Sequence, residues 1–94
     1  MTVEVVLPGS LADLAGGNKH VEVDVGESAT LANVLDGLAD GRPLLDRRIR
    51  DETGQLRRFV NVYVDGDDVR FADGVGTTVR DGAVVQVLPS VAGG

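Results

Sequence analysis

Val3, Val5 and Leu7 alternate with Thr2, Glu4 and Val6 at the start of the chain, the two-residue period of a strand with one face turned inward. His20 to Val25 repeats that period more cleanly, with Val21, Val23 and Val25 inward and Glu22 and Asp24 outward. The connection from Pro8 to Gly17 is too long for a tight hairpin and holds Leu11 and Leu14, so a partly buried turn is expected there. Gly26 breaks the second strand, and the apolar period then lengthens. Leu31, Val34, Leu35 and Leu38 share one stripe of a helix, with Ser28 or Thr30 as its N-cap and Gly41 with Pro43 as its end.

Leu44 to Leu56 is charged and turn-rich. Leu44, Leu45 and Ile49 are its expected anchors, and Thr53-Gly54 a turn. A strand is predicted over Phe59 to Val64, closed by Asp65-Gly66, with a short return over Asp68 to Phe71. The last strand, Ala83 to Leu88, comes after the Asp81-Gly82 turn. The order is therefore β-β-α-β-β-β. A helix connection after the second strand lets the first and last long strands lie side by side, so one main helix packs on a mixed sheet of four or five strands. This is an α+β chain of β-grasp architecture, with one domain over 1–88 and a flexible tail over 89–94.

Ninety-four residues, 43% apolar, are enough for one core without staples. The chain has no cysteine, which excludes disulfides, thiolate metal sites and any side chain that carries sulfur as a thiol or persulfide. No opening segment has the cationic-then-apolar form of a leader, and no apolar run approaches the roughly 18 residues of a membrane span, so no membrane association and a cytoplasmic location are expected. The net charge of −6 argues against nucleic acid and points to protein partners with basic surfaces. Eight arginines accompany the single Lys19, several of them between Arg42 and Arg58; they are read either as directional contacts to a partner or as a solvated loop.

Few side chains suggest catalysis. Asp65, Asp67 and Asp68 crowd a hairpin turn, but no Glu stands at calcium-loop spacing after them, so no metal site is expected. His20 stands without a Cys, Ser or second His beside it. Gly74-Val75-Gly76 lacks the Lys and Ser or Thr of a phosphate loop. The informative segment is the ending, Val91-Ala92-Gly93-Gly94. Two residues without Cβ can thread a narrow channel and bring an α-carboxylate to a reactive site. From Pro89 to Gly94 the chain can extend about 20 Å at roughly 3.3 Å per residue. Strand alternation adds a second feature: if Val60, Val62 and Val64 point inward, then Phe59, Asn61 and Tyr63 share the outer face with Val6, Val84 and Leu88. That face is read as a partner-docking surface or, alternatively, as a face covered in part by Leu44 to Leu56 or as scattered exposed apolar residues without a role.

Arg58-Phe59-Val60-Asn61-Val62-Tyr63-Val64, Asp68-Val69-Arg70-Phe71, Asp81-Gly82 and Leu88-Pro89 leading to Val91-Ala92-Gly93-Gly94 occur in the order seen in the ubiquitin-like sulfur-carrier family, the ThiS and MoaD type. The chain resembles that family over nearly its whole length, most closely the actinobacterial carrier that feeds cysteine biosynthesis. The resemblance implies that an E1-like activating enzyme uses ATP and Mg²⁺ to adenylate the carboxylate of Gly94. Sulfur then displaces AMP to leave a thiocarboxylate, whose sulfur passes to an acceptor on a separate enzyme, pyridoxal-phosphate-dependent in the cysteine branch. Thiamine, molybdopterin or a thiolated secondary metabolite are other destinations. The resemblance also implies a protein cosubstrate that binds no cofactor itself and is a monomer when free. Pro89, Ser90, Val91, Ala92 and Gly93 would form the threading segment. A ubiquitin-like modifier joined through Gly94 to lysine amines, and a permanent synthase subunit, share the same fold and tail.

Overall fold

In the computed structural model, which describes residues 1–26 and 29–89, the alternating valines form strands where the sequence places them. β1 spans Thr2–Val6, and a short helix α1 (Gly9–Ala12) runs into a 3-10 turn at Asp13–Ala15. β2 is His20–Asp24, β3 is Ala29–Thr30, α2 is Leu31–Ala39 and α3 is Pro43–Ile49. β4 covers Val60–Val64, β5 Asp67–Asp68, β6 Thr78–Val79 and β7 Val84–Pro89. The main sheet runs β2-β1-β7-β4-β5, and β3 pairs with β6 in a separate ribbon. β1 and β7 are parallel neighbours, with Val5 beside Val85, and the other pairings are antiparallel. The expected contact of first and last strands is present, and the fold is a β-grasp.

The inner face of the sheet is built almost wholly of valine. Val3, Val5, Val21, Val23, Val60, Val62, Val64, Val85 and Val87 are all buried, and β-branched side chains suit that pleated surface. Leu31, Val34, Leu35 and Leu38 of α2 close over them. Thr30, one of the two cap candidates, starts this helix through a reciprocal pair: its Oγ1 accepts from the Asn33 N–H, and the Asn33 Oδ1 accepts from the Thr30 N–H. Ser28, the other candidate, lies outside the described residues. Gly37 lets α2 approach β2 closely, since a Cβ there would stand 2.5 Å from Val23 Cγ1.

Several expectations need correction. Residues 44–49, read as part of a turn-rich stretch, form helix α3 beside α2. Pro43, read with Gly41 as a helix end, occupies the first turn of α3, where its missing N–H costs nothing. Leu45 and Ile49 anchor this helix in the core, but Leu44 is 68% exposed and anchors nothing. The return strand expected over Asp68 to Phe71 is only Asp67–Asp68. The Asp68 carboxylate accepts from the Arg70 N–H and turns the chain off the sheet edge into a 3-10 turn, which buries Val69 and turns Phe71 outward. Pro89, assigned to the tail, is the last residue of β7 and lies opposite Val60. No helix among the described residues is long and apolar enough to cross a membrane.

Candidate functional site

The last strand is held on both flanks. β7 pairs with β1 through Glu4–Val84 to Val6–Gln86 and with β4 along its length to Val60–Pro89. Its near end is tied down as well: Thr2 N–H donates to the Asp81 carboxylate, Gly82 N–H donates to the Thr2 carbonyl, and Asp65 exchanges hydrogen bonds with the Val84 backbone. The tail is therefore rooted, at Pro89, on a strand fixed in the middle of the sheet. Ser90, Val91, Ala92, Gly93 and Gly94, the predicted threading and reacting residues, lie outside the described residues.

The outer face divides in two. Toward β2 it is polar: Glu4, His20, Glu22 and Asp24 are on it, with His20 Nδ1 2.9 Å from Glu4 Oε2. Toward β4 it carries Val84, Leu88, Asn61 and Tyr63, with Phe59 just before the strand. Of the predicted docking residues, Phe59 is 60% and Val84 39% exposed, while Val6, Tyr63 and Leu88 are half-buried. They do not make one continuous patch, because Gln86 stands between Val6 and Tyr63 across the strands. The two phenylalanines and one tyrosine are the chain's only aromatics, and all three lie outside the core, with Phe71 91% exposed. Aromatic rings ordinarily dominate cores by the area they bury; here the core is aliphatic and the rings face outward. The exposure of Phe71 is not legible in the sequence, since a strand reading gives no hint of the turn that expels it.

Arg70 holds the segment that carries Phe59. Its Nη2 donates to the carbonyls of Arg58 and Val60, both at 2.7 Å, and its Nη1 donates to Asn61 Oδ1 at 2.9 Å. β5 pairs only with Tyr63 and Val64, so the rest of the β4 edge has no strand beside it. The guanidinium fork fills that place.

A groove of about 500 Å³ opens at the root of the tail, with Leu11, Arg48, Arg57, Arg58, Phe59 and Pro89 among its walls. Arg47, Arg48, Arg57 and Leu44 line a second groove that shares two of these arginines. Asp51 also borders the first groove, but bonds from the Thr53 hydroxyl and backbone, joined by the Gln55 N–H, commit its carboxylate to the 51–55 turn. Those bonds, with a smaller contribution from the nearby Arg57 charge, hold its pKa below the usual carboxylate value. Arg50 has a different task. Its Nε bonds Asp46 and its Nη1 bonds Asp36, each at 2.8 Å, joining α3 to α2. Burial alone would lower its pKa, but the two carboxylates outweigh that and raise it. The arginines between 42 and 58, treated together in the sequence, thus separate into a structural one and a cluster at the tail root.

Comparison with known proteins extends this picture. The chain is 40% identical to the sulfur carrier protein CysO of Mycobacterium tuberculosis in an alignment of 96 positions covering all of both chains. The crystal structure of that CysO superposes with a TM-score of 0.84 at 38% identity, covering 95% of this chain and 99% of that one. A crystallised complex of BexX and CysO from Amycolatopsis orientalis matches with a TM-score of 0.82 at 38% identity, covering 98% of this chain and 99% of that chain. The small archaeal modifier protein 1 of Haloferax volcanii matches at 0.83 and 31% identity, covering both chains fully. The family model described as the ThiS family matches residues 5–94. With its β-grasp sheet and full-length relatives, the chain belongs to the ThiS family, the ubiquitin-like sulfur-carrier family that its strand segments and tail resemble.

Proposed function

We propose that this protein is a sulfur carrier whose reactive group is the α-carboxylate of Gly94. An E1-like enzyme activates that carboxylate: one of its oxygens attacks the α-phosphorus of ATP, with Mg²⁺ on the phosphates, and pyrophosphate leaves. A sulfur nucleophile supplied by a partner then attacks the acyl carbonyl of the adenylate, and AMP departs with the bonding pair. Where that nucleophile is hydrosulfide the product is the thiocarboxylate itself, ionised at neutral pH; where it is a persulfide of the partner, a second thiol of the partner attacks the acyl disulfide, forms a disulfide with the donor and releases the thiocarboxylate. Its sulfur attacks an electrophilic acceptor on a second enzyme to give a thioester, and the carrier is returned by hydrolysis of that thioester or by its rearrangement to an amide followed by proteolysis. The favoured destination is cysteine biosynthesis, with an activated serine derivative on a pyridoxal-phosphate enzyme as acceptor. The protein is a cosubstrate in this scheme, and ATP and Mg²⁺ belong to the activating partner.

The observation that supports the reading is β7, a strand fixed between β1 and β4 and ending at Pro89, from which the sequence runs on to Gly94. A carrier must present a mobile reactive end from a rigid body, so that docking of the body places the end within the partner's reach. The family match running to residue 94 and the 40% identity to a CysO support it. Gly93 lets the backbone pass where a side chain would clash, and Ala92 keeps the entry narrow. Phe59, Tyr63, Val84 and Leu88, with Val6 at the margin, form the surface that holds the body against the partner.

The absence of cysteine makes the test direct. Protein isolated from its own cells is treated with a thiol-alkylating reagent, and any adduct is located by fragmentation mass spectrometry. An adduct at Gly94 is the expected result. Gly94 found joined to a target lysine, with no thiocarboxylate at any growth stage, would replace this reading with the modifier role, which the similarity to a small archaeal modifier protein also accommodates.

A further inference from the structure

We propose that the arginine-lined groove at the root of the tail receives the acidic rim of the E1-like activating enzyme that takes the tail, with carboxylates of that rim laid against Arg48, Arg57 and Arg58. The inference rests on the tail-delivery reading above and names the chemistry of the partner. It reverses what the net charge alone suggests, namely a partner with a basic surface.

The groove concentrates positive charge in an acidic protein. The chain has 15 carboxylate side chains against 9 basic ones, and Arg50 takes two of those carboxylates. Among the described residues, no carboxylate is within salt-bridge distance of Arg47, Arg48, Arg57 or Arg58; Asp51, which borders the first groove near Arg57, is turned to its own 51–55 turn and offsets one charge of the four. Four guanidinium groups gathered on two adjoining grooves repel one another and gain from an external anion. Apolar groups stand among them: Phe59 is 60% and Leu44 68% exposed, and Leu11 and Pro89 border the same groove as Phe59. Arginine with exposed aromatic and aliphatic side chains is the composition of an interface rather than of a solvated face.

Reach identifies the occupant. Five residues lie beyond Pro89, and at about 3.4 Å each they extend roughly 17 Å. A protein that engages residue 94 in a buried channel must bring the mouth of that channel within this distance of Pro89, which itself lines the groove. Its rim then lies over Arg58 and Phe59. With a net charge of −6 on the carrier, an acidic rim is repelled by the molecule as a whole and attracted here, so the groove selects orientation as well as partner.

The test uses the full chain and the E1-like activating enzyme of the same organism, with affinity measured by calorimetry at several salt concentrations and activation followed by ATP–pyrophosphate exchange. Arg58→Glu and the double variant Arg48→Gln/Arg58→Gln are the perturbations, because neither side chain has a hydrogen bond within the described residues. Glutamate is avoided at 48, where it would oppose the dipole at the end of α3. The expected result is about tenfold weaker binding for Arg58→Glu at 0.15 M salt, with a shallower salt dependence and an unchanged circular dichroism spectrum. A chain lacking Gly93 and Gly94 should lose exchange but keep binding that Arg58→Glu still weakens. Unchanged affinity and salt dependence in both arginine variants, with exchange intact, would overturn the groove assignment alone. Exchange that is absent from the wild type, or indifferent to loss of the two glycines, overturns the tail reading instead. Micromolar or tighter binding of a mixed-sequence oligonucleotide at 0.15 M salt, lost in Arg58→Glu, would assign the groove to nucleic acid and refute the proposal.

Discussion

Arg70→Ala removes the fork that stands in for a strand along the β4 edge. Three of its contacts are well formed, at 2.7, 2.7 and 2.9 Å, to the carbonyls of Arg58 and Val60 and to Asn61 Oδ1. The contact to the Arg57 carbonyl, at 3.4 Å, is too long to contribute much. Hydrogen bonds from a charged donor contribute about 1.5–3 kcal/mol each when buried, and about 0.5–1.5 kcal/mol is typical where water replaces the lost donor. Arg70 is exposed, so its acceptors regain water when it is removed. The lower range applies, and the total comes to about 2 kcal/mol. For a domain of this size that is a fall in Tm of roughly 8–16 °C.

Thermal and urea unfolding followed by circular dichroism measure this loss directly. Arg70→Lys should recover less than half of it, because a single ammonium cannot span the carbonyls and the Asn61 amide together. Asn61→Ala combined with Arg70→Ala isolates the side-chain pair and should show a coupling of about 0.5–1 kcal/mol. Hydrogen exchange should quicken at residues 58–61 before the rest of the sheet. A fall in Tm below about 2 °C for Arg70→Ala, or full rescue by lysine, would refute the assignment of this fork as an edge clamp.

Gly37→Ala sets a helix-propensity gain of about 1 kcal/mol against a Cβ placed 2.5 Å from Val23 Cγ1. Val23 is buried and β-branched, so overpacking prevails and stability falls by about 1–2 kcal/mol in urea titration. Adding Val23→Ala makes room, and the double variant should be more stable than the sum of the single changes. Because the folded-state pKa of Asp51 is lowered, its contribution is present above the ordinary carboxyl value of 3.8 and fades as pH falls through the folded value. Asp51→Asn should therefore be less stable than the wild type at neutral pH, and the gap should close in strongly acid solution; a constant gap across an acid titration contradicts the cause given for the shift. Phe59→Asp and Tyr63→Glu should weaken partner binding about tenfold or more while Phe59→Asp leaves Tm within a few degrees, and normal sulfur turnover with both would remove the docking role.

The main strands and the long helix were legible because local periodicity reports burial directly. Val3, Val5, Val21, Val23, Val60, Val62, Val64, Val85 and Val87 alternate in the sequence and are buried in the fold, and the Leu31 to Leu38 stripe is the buried face of α2. The paired glycines of the ending are a chemical motif that needs no neighbours to be read, and they lie outside the described residues. Helix α3 was not legible. Its two buried residues, Leu45 and Ile49, are too few to set a period in a stretch full of arginine, and Pro43 has opposite meanings at a helix end and a helix start.

Tertiary structure alone decided which residues are spent on stability and which are left for a partner. Arg50, Arg57, Arg58 and Arg70 are the same residue type within a short span. The fold buries most of the Arg50 side chain between two carboxylates, uses Arg70 to close an edge, and leaves Arg57 and Arg58 at the tail root. Phe59 and Phe71 are exposed for a like reason, one standing just before a strand and the other expelled by a turn. Sequence periodicity determines which side of an element faces the core, because burial repeats with the geometry of that element. It does not determine which distant side chains share a surface, because that depends on how β1, β7 and β4 are laid side by side, and the groove exists only where the ends of β4 and β7 meet α1, α3 and the segment before β4.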